Sequence, residues 1–237
     1  MHAFVGTSGY AYKEWKGSFY PEKLAAAKML HYYGEHFNGV EVNNTFYRMP
    51  SERVLVKWYD DVPEGFMFVL KASRRITHFK RLKPEAKDEL QYLIKTASVL
   101  HDKLGPTLFQ LPPNLKKDVE RLQTFLDLLP KRYGAAFEFR HESWFDDETY
   151  DTLHAANASL VVAETDEMAV PRVATADWGY LRLRKPGYDE AQLADWAAWV
   201  ADQGWHDSFV FFKHEDTGAG PELAQRFAEV LGDRGES

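Results

Sequence analysis

The chain has 237 residues, 45% hydrophobic and 15% aromatic, so a sizeable core is expected, burying roughly 70–75% of the extended surface. Its 29 basic and 36 acidic residues leave a net charge of −7, which argues against broad nonspecific nucleic-acid binding but leaves room for a local basic pocket. The absence of cysteine rules out disulfides, thiolate nucleophiles and cysteine-held metals.

Short apolar runs alternate with helix-length amphipathic segments. AFVGTS (3–8) reads as the first strand, and Pro21 opens a helical stretch with Leu24, Ala27, Leu30 and Tyr33 on one face. GVEVN (39–43) is the second strand, followed by a helix over 51–61. FMFVLKA (66–72) is the third, and Leu90, Leu93, Ala97, Leu100 and Leu104 mark its helix. TLFQL (107–111) is the fourth, stopped by Pro112-Pro113, with Val119, Leu122, Phe125 and Leu129 on the helix after it. AAFEFR (135–140) is the fifth, with Ser143 as the expected N-cap of the next helix. SLVVAET (159–165) is the sixth, and 167–178 reads as loop rather than helix. GYLRLR (179–184) and SFVFFK (208–213) complete the set, each with a helix behind it.

Eight βα units in this length predict an α/β fold, a single closed (β/α)8 TIM-barrel-like domain of parallel strands over 1–231, with a polar, disordered tail at 232–237. An open dinucleotide-binding sheet is disfavoured, because GTSGY is not G-x-G-x-x-G. The opening MHAFVGTSGY lacks a basic region and a long apolar core, and no apolar run approaches the ~20 residues of a membrane span. The expectation is a soluble cytoplasmic protein.

Period-two alternation sorts the strand faces. Val40 and Val42 oppose Glu41 and Asn43; Phe109 and Leu111 oppose Gln110; Phe137 and Phe139 oppose Glu138 and Arg140; Leu181 and Leu183 oppose Tyr180, Arg182 and Arg184. Lys71 shares a face with Met67 and Val69. The apolar sets suit the helix layer, so the polar sets should face the lumen near the strand C-termini, where barrel active sites lie. Ser8, Tyr10, Asn44, Tyr47, Arg75, His78, His141, Trp144 and Asp166 follow the strand ends and are expected to form a pocket rim. Glu138 is then expected to line an open, wet pocket in which Glu138→Gln costs little.

Five ordered stretches, GTSGYAYKEWKGSFYPEKL (6–24), FNGVEVNNTFYRMP (37–50), RRITH (74–78), LFQLPPN (108–114) and FEFRHESW (137–144), resemble the YecE-like family, a domain-of-unknown-function family of barrel proteins. The likeness runs from about Phe4 to Leu231 and implies a TIM-barrel-like fold with no established reaction. Two places depart from the family pattern. An Arg-x-His-Gly after the seventh strand is Arg182-Leu183-Arg184-Lys185 here, and an Asn-Asn after the eighth is Lys213-His214. Both changes add positive charge at the mouth.

Several chemistries fit this residue set. Lys71, Arg75, Arg140, Arg182, Arg184 and Lys213 suit phosphate or carboxylate oxygens. Glu41 and Glu138 can serve as acid–base groups, and Lys71 as a holder of charge or a Schiff-base amine. Together they predict a hydrolase or lyase acting on a phosphorylated or other anionic small molecule. The alternative is a nonenzymatic or metal-dependent, phosphodiesterase-like protein that binds nucleotides or nucleic-acid ends through Tyr10, Tyr12, Trp15, Tyr20, Tyr47 and Trp144. No cofactor is expected; a divalent metal on His78, His141, His214, Glu138, Glu164 or Asp166 is the weaker option. The bland reading is an internal ion-pair network that does no chemistry. Oligomeric state is not legible.

Overall fold

Runs of β-branched and aromatic residues set between helical segments form eight parallel strands. In the computed structural model, which describes residues 1–165, 170–185, 187–213 and 218–235, these close in sequence order into one barrel. The strands are β1 (His2–Ser8), β2 (Gly39–Val42), β3 (Met67–Lys71), β4 (Leu104–Gln110), β5 (Ala135–Glu138), β6 (Ser159–Glu164), β7 (Gly179–Leu183) and β8 (Asp207–Phe212). Closure is made by β1 on β8, in register from His2 opposite Asp207 to Thr7 opposite Phe212.

The helices are α1 (Met29–Gly34), α2 (Glu52–Asp61), α3 (Lys87–Ala97), α4 (Val119–Leu126), α5 (Asp147–Ala155), α6 (Glu190–Ala201) and α7 (Ala219–Gly235). Residues 170–178 between β6 and β7 are non-helical, as the sequence implied. No described helix is long and apolar enough to cross a membrane.

Four local expectations change. The helix opened by Pro21 is delayed, with regular α1 beginning only at Met29 after a 3-10 turn. The leucine series from Leu90 does not stay helical to Leu104, because Ser98–Lys103 tightens into 3-10 turns and Leu104 begins β4. Ser143 does not cap α5. Its hydroxyl accepts from the Lys117 amide, and Asp146 takes the cap by accepting from the Thr149 amide. The backbone of 232–235 continues α7 where a tail was expected, and Glu236 and Ser237 lie outside the described residues.

Side-chain alternation divides the apolar residues by layer. Val40, Val42, Phe109, Phe137, Leu181, Leu183, Val210 and Phe212 pack outward against the helices. Phe4, Val69, Leu108, Ala136, Val161, Ala163, Tyr180, Phe209 and Phe211 fill the lumen. The barrel is therefore packed, and the Glu41, Glu138 and Arg182 group lies at its C-terminal end. Close strand approach there demands Gly6, since a Cβ would lie 2.0 Å from the Gly39 carbonyl oxygen.

Candidate functional site

The top of the lumen is built on one guanidinium. Arg182 on β7 donates through Nη2 to Glu41 Oε1 on β2 at 2.8 Å and through Nη1 to Glu138 Oε2 on β5 at 2.5 Å. All three side chains are at most 2% exposed. Such burial is tolerable only when the remaining lone pairs are satisfied. Glu41 meets this condition: Ser8 Oγ and Asn43 Nδ2 donate to Oε1, and Tyr180 donates to Oε2 at 2.6 Å. Glu138 Oε1 accepts from Gln110 Nε2 at 2.8 Å, with Arg184 Nη1 3.9 Å away. The Arg182 Nε–H has no partner among the described residues.

Charge pairing sets the protonation states. Burial alone would raise the Glu41 pKa, but Arg182 and the donated hydrogen bonds overcome it and hold the value at about 2. Burial likewise opposes ionisation of Glu138, yet Arg182, Arg184, Lys71 and the Gln110 bond lower it. Both groups are carboxylates at neutral pH, which makes them poor general acids. Burial and the adjacent Glu41 carboxylate keep the Tyr180 phenol protonated far above its usual range.

Lys71 behaves differently. Its Nζ donates to Gln110 Oε1 at 2.8 Å and sits 4.5 Å above the Phe46 ring, and it makes no ion pair with a described residue. Gln110 thus takes a proton donor on its oxygen and gives one to Glu138 from its nitrogen, which separates the amine from the carboxylate. Burial first, then Arg182, depress the Lys71 pKa to about 8, against the smaller pull of Glu41 and Glu138.

Above this layer lies a hollow of about 380 Å³ bordered by Glu138, Arg140, His141, Glu142, Thr165 and Arg184. Burial and the neighbouring Arg182 lower the Arg184 pKa. Arg140 makes no ion pair or hydrogen bond through its side chain to a described residue. His141 Nδ1 accepts from the Ser143 amide. His78 stands on the other side, edge-on to Phe46 with ring centroids 4.9 Å apart, and burial plus Lys71 and Arg140 lower its pKa.

Of the residues anticipated from sequence, Ser8, Glu41, Asn43, Lys71, Gln110, Glu138 and Arg182 come together in the lumen, with Arg140, His141 and His78 at its edge. Arg75 and Tyr47 line a separate groove of about 780 Å³ outside the barrel, bordered by α2 and α3. Two more anticipated rim residues also lie away from the mouth. Trp144 is 1% exposed, stacked on Phe139 at 4.5 Å and bonded through Nε1 to the Leu115 carbonyl; Phe139 on the outer face draws the indole into the core. Tyr10 packs against Tyr33, which bonds between Thr7 and Gly39 under α1, so its ring lies outside the lumen. Glu164 also faces outward, accepting from Lys185 Nζ and Trp196 Nε1. Asp166 and His214 lie outside the described residues, and no three His, Asp or Glu among the described residues cluster as metal ligands. Glu138 is enclosed, so the open, wet setting expected for it is not found.

Two site residues went unassigned from sequence. Tyr180 shares the lumen parity of Arg182, a signal that was present. Phe46 sits in the 3-10 turn Asn44–Phe46, where no periodicity points to it.

The chain belongs to the DUF72 family, described as a protein of unknown function, whose profile matches residues 4–237. This agrees with the YecE-like resemblance read from the motifs. It is 25% identical to the UPF0759 protein YunF of Bacillus subtilis (strain 168), over 96% of this chain and 94% of that one. The UPF0759 protein YecE of Escherichia coli (strain K12) is 28% identical over 57% of this chain and 52% of its own length. The crystal structure of a DUF72 family protein from Thermotoga maritima matches with a TM-score of 0.86 and 29% identity, covering 98% of this chain and 100% of that one. A DUF72 family protein from Enterococcus faecalis, at 19% identity and a TM-score of 0.81, shares the fold.

Proposed function

We propose that this DUF72 family member is an enzyme of hydrolase or lyase type, acting on a phosphorylated or other anionic small molecule at the barrel mouth, with Lys71 as its proton-exchanging group. One observation carries the reading. Lys71 is 9% exposed as a residue, and among the described residues its amine has one hydrogen bond, to Gln110, and no ion pair. A buried charge without a partner weakens a fold. At about 1.4 kcal/mol per tenfold change in acidity, the fall from 10.5 to about 8 amounts to about 3 kcal/mol of stability forgone at pH 7. The sign follows from linkage: the unfolded chain holds the proton more tightly, so the penalty is full below pH 8 and fades as pH rises towards 10.5.

An ion-pair network that served only stability gains nothing from such a group. A site that must take up and release a proton near neutral pH does. Glu41 and Glu138 have a different part in this reading. As fixed carboxylates they orient Arg182 and raise the field at Lys71, rather than shuttling protons themselves. Arg140 and Arg184 at the hollow above supply cations for the ligand's charge.

The test compares wild type with Lys71→Met against a panel of phosphorylated and carboxylated metabolites. Turnover of at least one compound is expected, with a rate rising through about pH 8 where the neutral amine acts as base. Lys71→Met should lose that turnover by about a hundredfold or more while raising the melting temperature. A variant that unfolds more readily by several kcal/mol would mark Lys71 as a structural counter-charge and overturn the proposal. So would turnover that survives the substitution.

A further inference from the structure

The segment 71–83, KASRRITHFKRLK, holds six Lys and Arg residues and no Asp or Glu, in a chain whose net charge is −7. Such a run is ordinarily a solvated face. Here it is interleaved with exposed rings. Tyr47 is 68% exposed and Phe79 67%, and the Arg74 guanidinium lies between them, 5.6 Å from one ring centroid and 5.4 Å from the other. Leaving two large aromatics this open costs solvation that a buried placement would recover.

The rings are held in place. Phe79 ends a single π-helical turn, Arg75–Phe79, whose Ile76 and Thr77 are buried, and Leu82 just beyond is buried as well. Tyr47 meets Phe46 edge-on at 5.0 Å, and Phe46 in turn lies under the Lys71 amine. An aromatic path therefore runs from the lumen out to the rim. Of the nearby cations, Lys80 is taken by Glu89, and Arg81 reaches Asn114. Arg48, Arg74 and Arg75 make no ion pair with a described residue. Asp88 and Glu89 border the neighbouring groove, on the α3 side of Arg75.

We propose that Tyr47, Phe79, Arg48, Arg74 and Arg75 form a docking platform for a short single-stranded nucleic-acid segment, about one base stacking on each exposed ring and the phosphates meeting the arginines. Unstacked bases are what open rings of this kind accept, and a duplex hides them. A cationic patch of this size on a protein of net charge −7 limits the contact to a few nucleotides. The inference shares with the proposed enzyme only the cationic mouth beside it, and strand binding stands or falls without turnover.

The experiment is fluorescence anisotropy with labelled octathymidylate and octauridylate, which separates DNA from RNA as the source, from 50 to 200 mM salt. Three arginine contacts imply a log–log salt slope of about −2, roughly a twentyfold loss over that range. Tyr47→Ala and Phe79→Ala should each weaken binding by about five- to 150-fold. Arg74→Ala should make the slope shallower by about 0.7. Lys71→Met should leave binding unchanged, so failure here and failure of the proposed chemistry are distinguishable. The altered rings are exposed, and an unchanged melting temperature confirms that the variants fold. Absence of binding at 50 mM salt overturns the proposal. Binding that both ring variants retain overturns it too, as does equal, ring-independent binding of a duplex, a heparin fragment or anionic vesicles, since each would show a general polyanion face.

Discussion

Replacing Glu41 by glutamine tests whether the lumen is held by charge. The substitution keeps shape and removes one negative charge from a site with 0% side-chain exposure. The fall of the Glu41 pKa from 4.5 to about 2 corresponds to about 3 kcal/mol of preference for the ionised form in the folded state. Removing one partner of a buried pair costs on the order of 3–5 kcal/mol, so the two routes agree. The hydrogen bonds predict the same direction. Tyr180 donates to Oε2, and Arg182, Ser8 and Asn43 donate to Oε1, so a glutamine amide must turn its N–H groups toward at least one of four donors. Urea unfolding at pH 7 should show a loss of about 3 kcal/mol. The folded-state pKa is depressed, so the stabilisation is complete above about 4.5 and is lost as pH falls through about 2. At pH 3 about 2 kcal/mol of it should already be gone, and the gap between wild type and variant should shrink to about 1 kcal/mol. A deficit below about 1 kcal/mol at pH 7, or a gap that does not change with pH, would refute the electrostatic account of this layer.

Glu138→Gln should also cost on the order of 3 kcal/mol in chemical denaturation, because it strips Arg182 of its second counter-charge; a cost near zero would restore the open-pocket view of this residue. Inorganic phosphate at ten times its dissociation constant should add about 1.4 kcal/mol, roughly 3–6 °C in melting temperature for a domain of this size. Arg140→Ala should remove that response, and a response equal to that of a matched-ionic-strength chloride control would count against an anion site. Trp144→Phe should destabilise by about 1–2 kcal/mol through loss of the bond to Leu115, with phosphate binding intact; weakened phosphate binding would return the indole to the rim.

The sequence by itself determined the barrel and the sorting of its faces. Strand alternation is local, a consequence of successive side chains pointing to opposite sides, so the lumen positions of Glu41, Lys71, Gln110, Glu138 and Arg182 could be read from short stretches such as GVEV and GYLRL. The cationic character of the mouth was equally legible. Tertiary structure decided who pairs with whom. Arg182 meets Glu41 across 141 positions of sequence and Glu138 across 44, and those meetings depend on the stagger of strands around the closed barrel. That choice consumed both carboxylates and left Lys71 to Gln110, which no local pattern contains. It also settled Trp144, because a residue just past a strand end can turn to solvent or to the core, and stacking on the buried Phe139 ring made the core the lower-energy side.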